Sequence, residues 1–255
     1  VEVTGNVTTG FAVKAEGDII VNGVVEGATL VSGGNIVLKR GMQGMDRGML
    51  QAEGNITAKF LENCKVRCKG MLKADAILHS DVECQENVDI LGKKGLINGG
   101  SLSTYADVHA TTLGSTMGAS TKIKIISDKE LIIRANEIKE EVENKEETLR
   151  KIDEVVNRVK GQLASNQEVL PEQMNYLKQA TVNKPLLVKQ IRELREEREK
   201  LLVRIEKNKH SCIRVEGAVY SGIDITVKDV SKIQHEQVSH CRFVRDGADV
   251  RIVGL

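Results

Sequence analysis

The chain has 255 residues, a formal net charge of +1 and 29% charged residues, so no broad electrostatic field directs it to nucleic acid or to an anionic membrane surface. Only 2% of its residues are aromatic, whereas enzymes and sugar-binding surfaces commonly use aromatic side chains as anchors. A membrane span would need about 18 consecutive apolar residues, and the sequence has no such run. Five cysteines, an odd number, favour a reducing compartment, so we expect a cytoplasmic protein.

The first half of the chain consists of repeats spaced 16 to 20 residues apart. Four of them align on a glycine: V-x-A-x-G-D-I (13–19), L-x-S-x-G-N-I (30–36), L-x-A-x-G-N-I (50–56) and V-x-C-x-G-x-L (66–72). Two more copies, 82–88 and 102–108, have Glu86 and Ala106 at the glycine position. Apolar residues alternate within each repeat, which is typical of strands with one buried face. A repeat of this length fits three short strands per turn, which predicts a right-handed parallel β-helix.

The aligned apolar positions predict two ladders inside this solenoid, each with one residue from every turn. The ladders are Val13, Leu30, Leu50, Val66 and Val82, and Ile19, Ile36, Ile56, Leu72 and Val88. The glycines predict a corner that needs either a positive φ or close stacking of backbones, and Asp or Asn follows three of them. A phosphate-binding loop is disfavoured because no G-x-x-x-x-G-K-[ST] motif occurs.

Two of the steps are longer because they contain glycine-rich excursions, at 41–48 and 92–100. We expect both excursions to lie on one side of the solenoid. Since loops carry binding residues more often than the scaffold does, that side is a candidate contact surface. Ordinary corner chemistry explains the same glycines and is the favoured interpretation.

From residue 128 the apolar period changes to alternating steps of three and four, which is a heptad seam. The first seam is Leu131, Ala135, Ile138, Val142, Lys145, Leu149, Ile152, Val156, Val159 and Leu163, and the second is Leu177, Ala180, Lys184, Leu187, Ile191, Leu194, Arg198, Leu201 and Ile205. The first segment has more acids than bases and the second has more bases than acids, which favours an antiparallel two-helix coiled coil. Pro185 predicts a kink or break, with an irregular segment over 178–184.

The strand pattern returns in I-x-V-x-G-x-V (213–219), which aligns with the early repeats position for position. The helices are therefore predicted to interrupt one continuous solenoid. Alternating residues beyond Ile223, around a turn at Asp246-Gly247, predict strands that cap the end of the stack. The expected domains are solenoid turns (1–127), an inserted helical hairpin (128–209) and a returning turn with a C-terminal β cap (210–255).

No motif in this sequence identifies a reaction. Cys64, Cys68 and Cys84 have no zinc-type C-x-x-C spacing, and the last two belong to a column of small core residues. His79 and Asp81 have no nucleophile spaced to join them. Glu26 and Glu62 are the carboxylate pair considered for glycoside cleavage, without an aromatic platform for a sugar. We therefore assign no catalytic, cofactor-binding or metal-binding residue, and we expect no cofactor and no enzymatic activity.

Several strings together resemble the bacterial flagellar assembly protein A family: GDIIVNGVVEGATL (17–30), GGNI (33–36), AKFLEN (58–63), GKKGLI (92–97), GSTMG (114–118) and GAVYSGI (217–223). The resemblance spans essentially the whole chain. It implies a polar β-solenoid with an inserted coiled coil, a link to flagellar assembly or cell-pole organisation, and no established catalytic residues. It also implies a separate preceding region, and since the sequence opens at Val1 inside a repeat-like string, we expect it to be a fragment. Ser221 departs from a proline common in the family.

The favoured function is a non-catalytic scaffold whose hairpin binds a protein partner or mediates self-association. The predicted partner contact is the hairpin tip: Gln167, Glu168, Val169 and Leu170. The partner is not identified, a homo-oligomer through the coiled coil or the solenoid ends stays open, and neither nucleic acid nor a membrane span is expected. The alternatives are a carbohydrate-active β-solenoid enzyme and a filament that joins solenoid ends.

Overall fold

The computed structural model describes residues 1–165 and 170–255. These residues form two compact units, one made of Val1–Asp128 with Lys207–Leu255 and the other of Lys129–Glu206. The first unit contains all the β-strands assigned among the described residues, and they form a β-solenoid of about seven turns.

The strands before the helices are β1 (Glu2–Val3), β2 (Ala12–Ala15), β3 (Ile19–Val21), β4 (Val24–Glu26), β5 (Thr29–Ser32), β6 (Ile36–Ala52), β7 (Ile56–Cys68), β8 (Leu72–Lys73), β9 (Ala76–Cys84), β10 (Val88–Ile90), β11 (Leu96–Thr104), β12 (Val108–Ala110), β13 (Thr112–Leu113) and β14 (Thr121–Ile125). The helices are α1 (Lys129–Ala164) and α2 (Pro171–Lys207), followed by a short 3-10 turn (Asn208–His210). The last strands are β15 (Ile213–Val219), β16 (Ile223–Val227), β17 (Val230–Gln234), β18 (Val238–Asp246) and β19 (Asp249–Gly254).

Parallel pairing between successive turns gives the solenoid three faces. The first face contains the Ile19 column, the second face the Val25 column and the third face the Leu30 column. Long strands such as β6 and β7 bend around the corners and contribute to all three faces. The predicted arrangement of three short strands per turn is therefore confirmed.

Both predicted ladders are present in register. In the third face Val13 pairs with Leu30, Leu30 with Leu50, and the column continues through Val66 and Val82. In the first face Ile19 pairs with Ile36, and the column continues through Ile56, Leu72 and Val88. Apart from the first turn, these side chains are almost completely buried, so the stacked columns are the hydrophobic core.

Close stacking, and not a positive φ, explains the glycines of the corner between the third face and the next first face. We call this the glycine corner; it contains Gly17, Gly34, Gly54 and Gly70, none of which has a positive φ. A Cβ on Gly54 would lie 2.6 Å from Asn35 Oδ1 and 2.9 Å from the carbonyl oxygen of Gly34. The side chain of the preceding turn therefore occupies the space that a larger residue would need.

The helices leave and rejoin the solenoid at this same corner. Strand β14 completes the third face, with Ile123 beside Leu102, and β15 begins the next first face, with Ile213 beside Val108. The prediction of a continuous solenoid is thus confirmed, but the predicted alignment was wrong. Ile213 belongs to the Ile19 column and not to the Val13 column, because the insertion itself replaces the corner and the chain resumes one face later.

Antiparallel strands follow the last turn. Strand β16 pairs with β17, and β18 pairs with both β15 and β19, which brings the fully buried Phe243 beside Ile213. The predicted turn is present, since Asp246 pairs with Asp249 and Gly247 has a φ of +61°. These strands cover the edge that β15 and β16 would otherwise expose.

The extra residues of the two glycine-rich excursions lie at different corners, contrary to the expectation, although Gly99 of the second excursion shares the corner of residues 44–47. Residues 44–47 form extra corner residues between the second and third faces, where β7 needs only Asn63. Residues 91–95 lie between the first and second faces, after β10 and before β11. The two repeats have the same length because each gained residues at one corner. The corner that gained them differs between the two repeats.

Helix α2 runs through Pro185 without a break, so the irregular segment predicted over 178–184 is wrong. Pro185 and Thr181 are both solvent-exposed. Proline has no backbone N–H, so Pro185 cannot donate a hydrogen bond to the carbonyl oxygen of Thr181. Because both residues are exposed, water can donate that bond instead.

Candidate functional site: the inserted helix pair

The predicted seams form the contact between α1 and α2. Ile138 and Val142 of α1 pack with Ile191 of α2, and Leu149, Leu187, Leu194 and Leu201 surround them. Ala135, Val159 and Ala180, which are also seam positions, are buried as well. Most of the exposed charge lies outside this stripe, as the heptad pattern predicts.

The polar residues of the seams find partners across the helix pair. Lys145 donates to Gln190 Oε1 at 3.2 Å, and Lys184 contacts the carboxylate of Asp153. Arg198 Nε donates to the carbonyl oxygen of Ala135 at 3.2 Å. Contacts between early residues of α1 and late residues of α2 make the pair antiparallel, and a slipped register would leave these groups without partners.

Ion pairs flank the seam on both sides. Arg134 lies 3.1 Å from Glu197, and Arg195 pairs with Glu146. The Glu197 carboxylate raises the pKa of Arg134, and Lys151, one turn along α1, lowers the pKa of Glu147. Because these ion pairs are exposed, they contribute little to the stability of the helix pair. Their main effect is to favour one register of α1 against α2.

The outer surface of α2 carries apolar side chains that the seam does not use. Val182 is 74% exposed and Leu186 is 57% exposed, one turn apart on the same stripe. On another side of α2, Val188 and Ile191 line an open groove with Leu149 of α1. The sequence signal for Val182, Leu186 and Val188 was that they are apolar and lie outside the heptad seam.

The predicted tip contact falls largely outside the described residues. This applies to Gln167, Glu168 and Val169, while Leu170 is described and is 62% exposed. The Leu170 backbone N–H donates to Gln173 Oε1 at 3.2 Å, just before α2 begins. The assignment of the tip as a contact stays a prediction.

The two chain ends that bound the insertion are tied together within the solenoid unit. Asp128, 7% exposed, accepts a hydrogen bond from Asn208 Nδ2 at 3.4 Å and lies 3.6 Å from Lys228 Nζ. Lys228 Nζ also donates to the carbonyl oxygens of Asn208 and Lys209, at 2.6 and 3.0 Å. Asp128 was recognisable as a helix-start residue, but nothing in the sequence indicated Lys228.

The cysteines that were considered for metal binding act as core hydrogen-bond donors. In the small-residue column, Ser32 Oγ donates to the Gly17 carbonyl oxygen at 2.8 Å, and Cys68 and Cys84 donate to those of Gly54 and Gly70 at 3.3 and 3.1 Å. Burial raises the pKa of Cys64 to about 11, whereas hydrogen bonding to Cys84 lowers the pKa of Cys68. No cluster of metal-ligating side chains occurs within residues 1–165 and 170–255.

The residue pairs weighed for catalysis lie on open sheet surface. Asp81 accepts a hydrogen bond from Ser101 at 2.7 Å on the third face, while His79 lies at the corner before that face. Glu26 and Glu62 share one column of the second face with Gln43 between them. Two strand spacings, about 9.6 Å, therefore separate their backbones.

A helix that crosses a membrane must be both long and apolar. Among the described residues, no helix combines these two properties.

The comparisons with known proteins agree with this architecture. The family model for the Flagellar Assembly Protein A beta solenoid domain matches residues 1–250. No curated protein and no solved structure matches the chain. The match includes the solenoid turns, both helices and nearly all of the C-terminal strands. The chain therefore belongs to the Flagellar Assembly Protein A beta solenoid domain family.

Proposed function

We propose that this chain is a non-catalytic scaffold linked to flagellar assembly or cell-pole organisation, and that its helix pair is the part that binds a protein partner. Family membership supports the link to flagellar assembly. A stack of parallel turns with a continuous core supplies a rigid body, since each turn is held by the turns beside it.

The exposed apolar stripe of α2 is the observation that supports partner binding most directly. Val182 and Leu186 lie outside the seam and outside the buried cluster of the pair, and each exposes more than half of its surface. Amphipathic helix surfaces of this kind are used when one helix docks against another. Charged residues border the stripe, as at the rim of many interfaces.

The test compares two variants of the full chain in a pull-down from the source cells. The double variant Val182→Glu with Leu186→Glu places two charges in the stripe, so recovery of bound protein is expected to fall several-fold. The control, Asn144→Asp with Asn157→Asp, adds the same charge at exposed positions of α1. Circular dichroism verifies that both variants keep their helices.

Sedimentation velocity of the purified chain separates the two kinds of partner. A mass that doubles with concentration, and that the stripe variant abolishes, identifies self-association through the helix pair. A constant monomer mass together with stripe-dependent recovery identifies a different protein. Equal recovery by the wild type and both variants contradicts the proposal.

We further propose the domain division 1–127, 128–209 and 210–255. The compact unit of residues 129–206 supports treating the helices as a separate insertion. The pairing of β15 with β12 and β13 supports assigning the returning turn to the solenoid.

A further inference from the structure

A basic pocket lies where the chain re-enters the solenoid beside the C-terminal strands. Its volume is about 670 Å³, within the range of roughly 300–1,000 Å³ typical of small-molecule sites. No carboxylate lines it, although the chain as a whole is nearly neutral. The lining residues are Lys209, His210, Ser211, Cys212, Lys228, Arg242, Val244, Arg245 and Gly247.

Two arginines lie opposite each other in the sheet beside this pocket, and one of them, Arg242, lines it. Arg242 of β18 lies directly opposite Arg214 of β15 in the antiparallel ladder. Like charges in this position destabilise a sheet. Within the described residues neither guanidinium forms an ion pair or a side-chain hydrogen bond, so no direct ionic contact offsets the repulsion between them. An anion bound at Arg242 would reduce it.

A third arginine is held in place by the backbone. Arg245 Nε donates to the Gly247 carbonyl oxygen at 3.0 Å, and Nη1 donates to that of Lys228 at 3.0 Å. These bonds fix the guanidinium plane, and among the described residues Nη2 has no hydrogen-bond acceptor. A pre-oriented guanidinium loses little entropy when it binds an anion.

The nearby acids are already engaged. Asp128 pairs with Lys228, which reduces the charge that Lys228 presents to the pocket. Asp246, at the end of β18, lies 2.7 Å from Arg251. The charge open to a ligand therefore comes mainly from Arg242 and Arg245.

We propose that this pocket binds a small ligand carrying two or more phosphate groups, with Arg242 and Arg245 as the principal phosphate-binding residues. Guanidinium groups match phosphate oxygens with paired, charge-assisted hydrogen bonds. The volume exceeds what one phosphate fills, and Lys228, Arg242 and Arg245 all line the pocket. This site is independent of the helix surface proposed above.

The test is titration calorimetry of the full chain with inorganic tripolyphosphate at low salt. Arg242→Gln is expected to weaken binding at least about tenfold, as loss of a charged phosphate contact does. The control is Arg40→Gln, which removes an exposed arginine that does not line the pocket, and it is expected to bind normally. Parallel titrations with ATP and adenosine determine whether phosphate groups are required.

Thermal unfolding without ligand provides a second readout. If Arg242 were purely structural, its replacement would lower the melting temperature. Relief of the repulsion with Arg214 instead predicts an unchanged or higher melting temperature for Arg242→Gln, together with lost binding. His210→Gln serves as a second pocket variant should Arg242→Gln fail to fold.

Three results would overturn the site: no binding of tripolyphosphate at millimolar concentration, equal weakening by Arg242→Gln and Arg40→Gln, or adenosine binding as tightly as ATP. Binding that appears only with an acidic polypeptide, and not with tripolyphosphate, would likewise reject a small phosphate ligand.

Discussion

At the scale of single residues, the glycine corner depends on a chain of Asp and Asn side chains. Asp18 Oδ1 accepts the backbone N–H of Asn35 at 2.7 Å, and Asn35 Oδ1 accepts that of Asn55 at 2.8 Å. Asp107 does the same for the N–H of Cys212 at 2.8 Å. The residue at which the chain returns is therefore held by the same contact as these ordinary corners.

We predict that Asp107→Ala destabilises the solenoid by about 1–2 kcal/mol, because the buried Cys212 N–H loses its acceptor. Urea unfolding followed by circular dichroism measures the change in the free energy of unfolding. Glu216→Ala removes an exposed carboxylate from β15, the strand that follows Cys212, and serves as the control. A loss no larger than that of the control would show that Asp107 does not anchor the return.

The buried thiol of Cys64 predicts a pH dependence of stability. Its folded pKa, about 11, exceeds the unfolded value of 9.0 because burial disfavours the thiolate. The unfolded state therefore releases its proton first, so this stability is complete below pH 9 and is lost as the pH rises towards 11. The loss is expected to reach about 2 kcal/mol.

Urea unfolding of the wild type and of Cys64→Ala between these pH values measures this effect. The variant lacks the titrating group, so its stability is expected to change less over the interval. Parallel pH curves for the two proteins would contradict the assignment to Cys64.

At the scale of elements, the glycine corner offers a matched pair of substitutions. In Gly54→Ala the added Cβ meets Asn35 Oδ1 and the Gly34 carbonyl oxygen, so we expect a loss of about 1–3 kcal/mol. Gly17→Ala adds the same carbon at the first turn, where nothing lies within 4 Å, and is expected to be neutral. Thermal unfolding of both variants measures the difference between their melting temperatures. Equal melting temperatures would reject close stacking as the reason for the glycines.

The helix pair has its own core, which predicts a local response. Ile138 is fully buried between α1 and α2, so Ile138→Ala should destabilise the pair by about 2–4 kcal/mol. Ile133→Ala, at an exposed position of α1, is the control. Hydrogen exchange is expected to accelerate in 129–206 and to stay slow in β6 and β7. Acceleration throughout both units would show that they unfold together.

At the scale of the whole molecule, the insertion occupies one corner of an otherwise regular coil. We predict that replacing residues 126–212 by a three-residue corner, as between Thr104 and Val108, leaves the solenoid folded. Ile125 and Ile213 occupy the same columns as those two residues, so a short corner joins them without strain. Circular dichroism should show strand without helix and a cooperative melt. An unfolded product would mean that the solenoid requires its helices.

Much of this architecture was readable from the repeats. Strict alternation, with one apolar residue per column, determined the strands, the ladders and the interruption by helices. A shift of the register by one residue would expose apolar surface in every turn. The heptad seams likewise predicted the buried residues of the helix pair. The alignment of residues 213–219 with the early repeats was wrong because their apolar alternation fits the first and third faces equally well.

By itself, then, the sequence determined the solenoid, its ladders and the position of the helical insertion. These features depend on a periodic pattern of buried residues, and each repeat contains that pattern. Only the tertiary structure decided which face the chain rejoins, why the corner requires glycine, and how Arg242 and Arg245 converge beside Lys228. These features arise from contacts between residues about 20 to more than 100 positions apart, which no local pattern encodes.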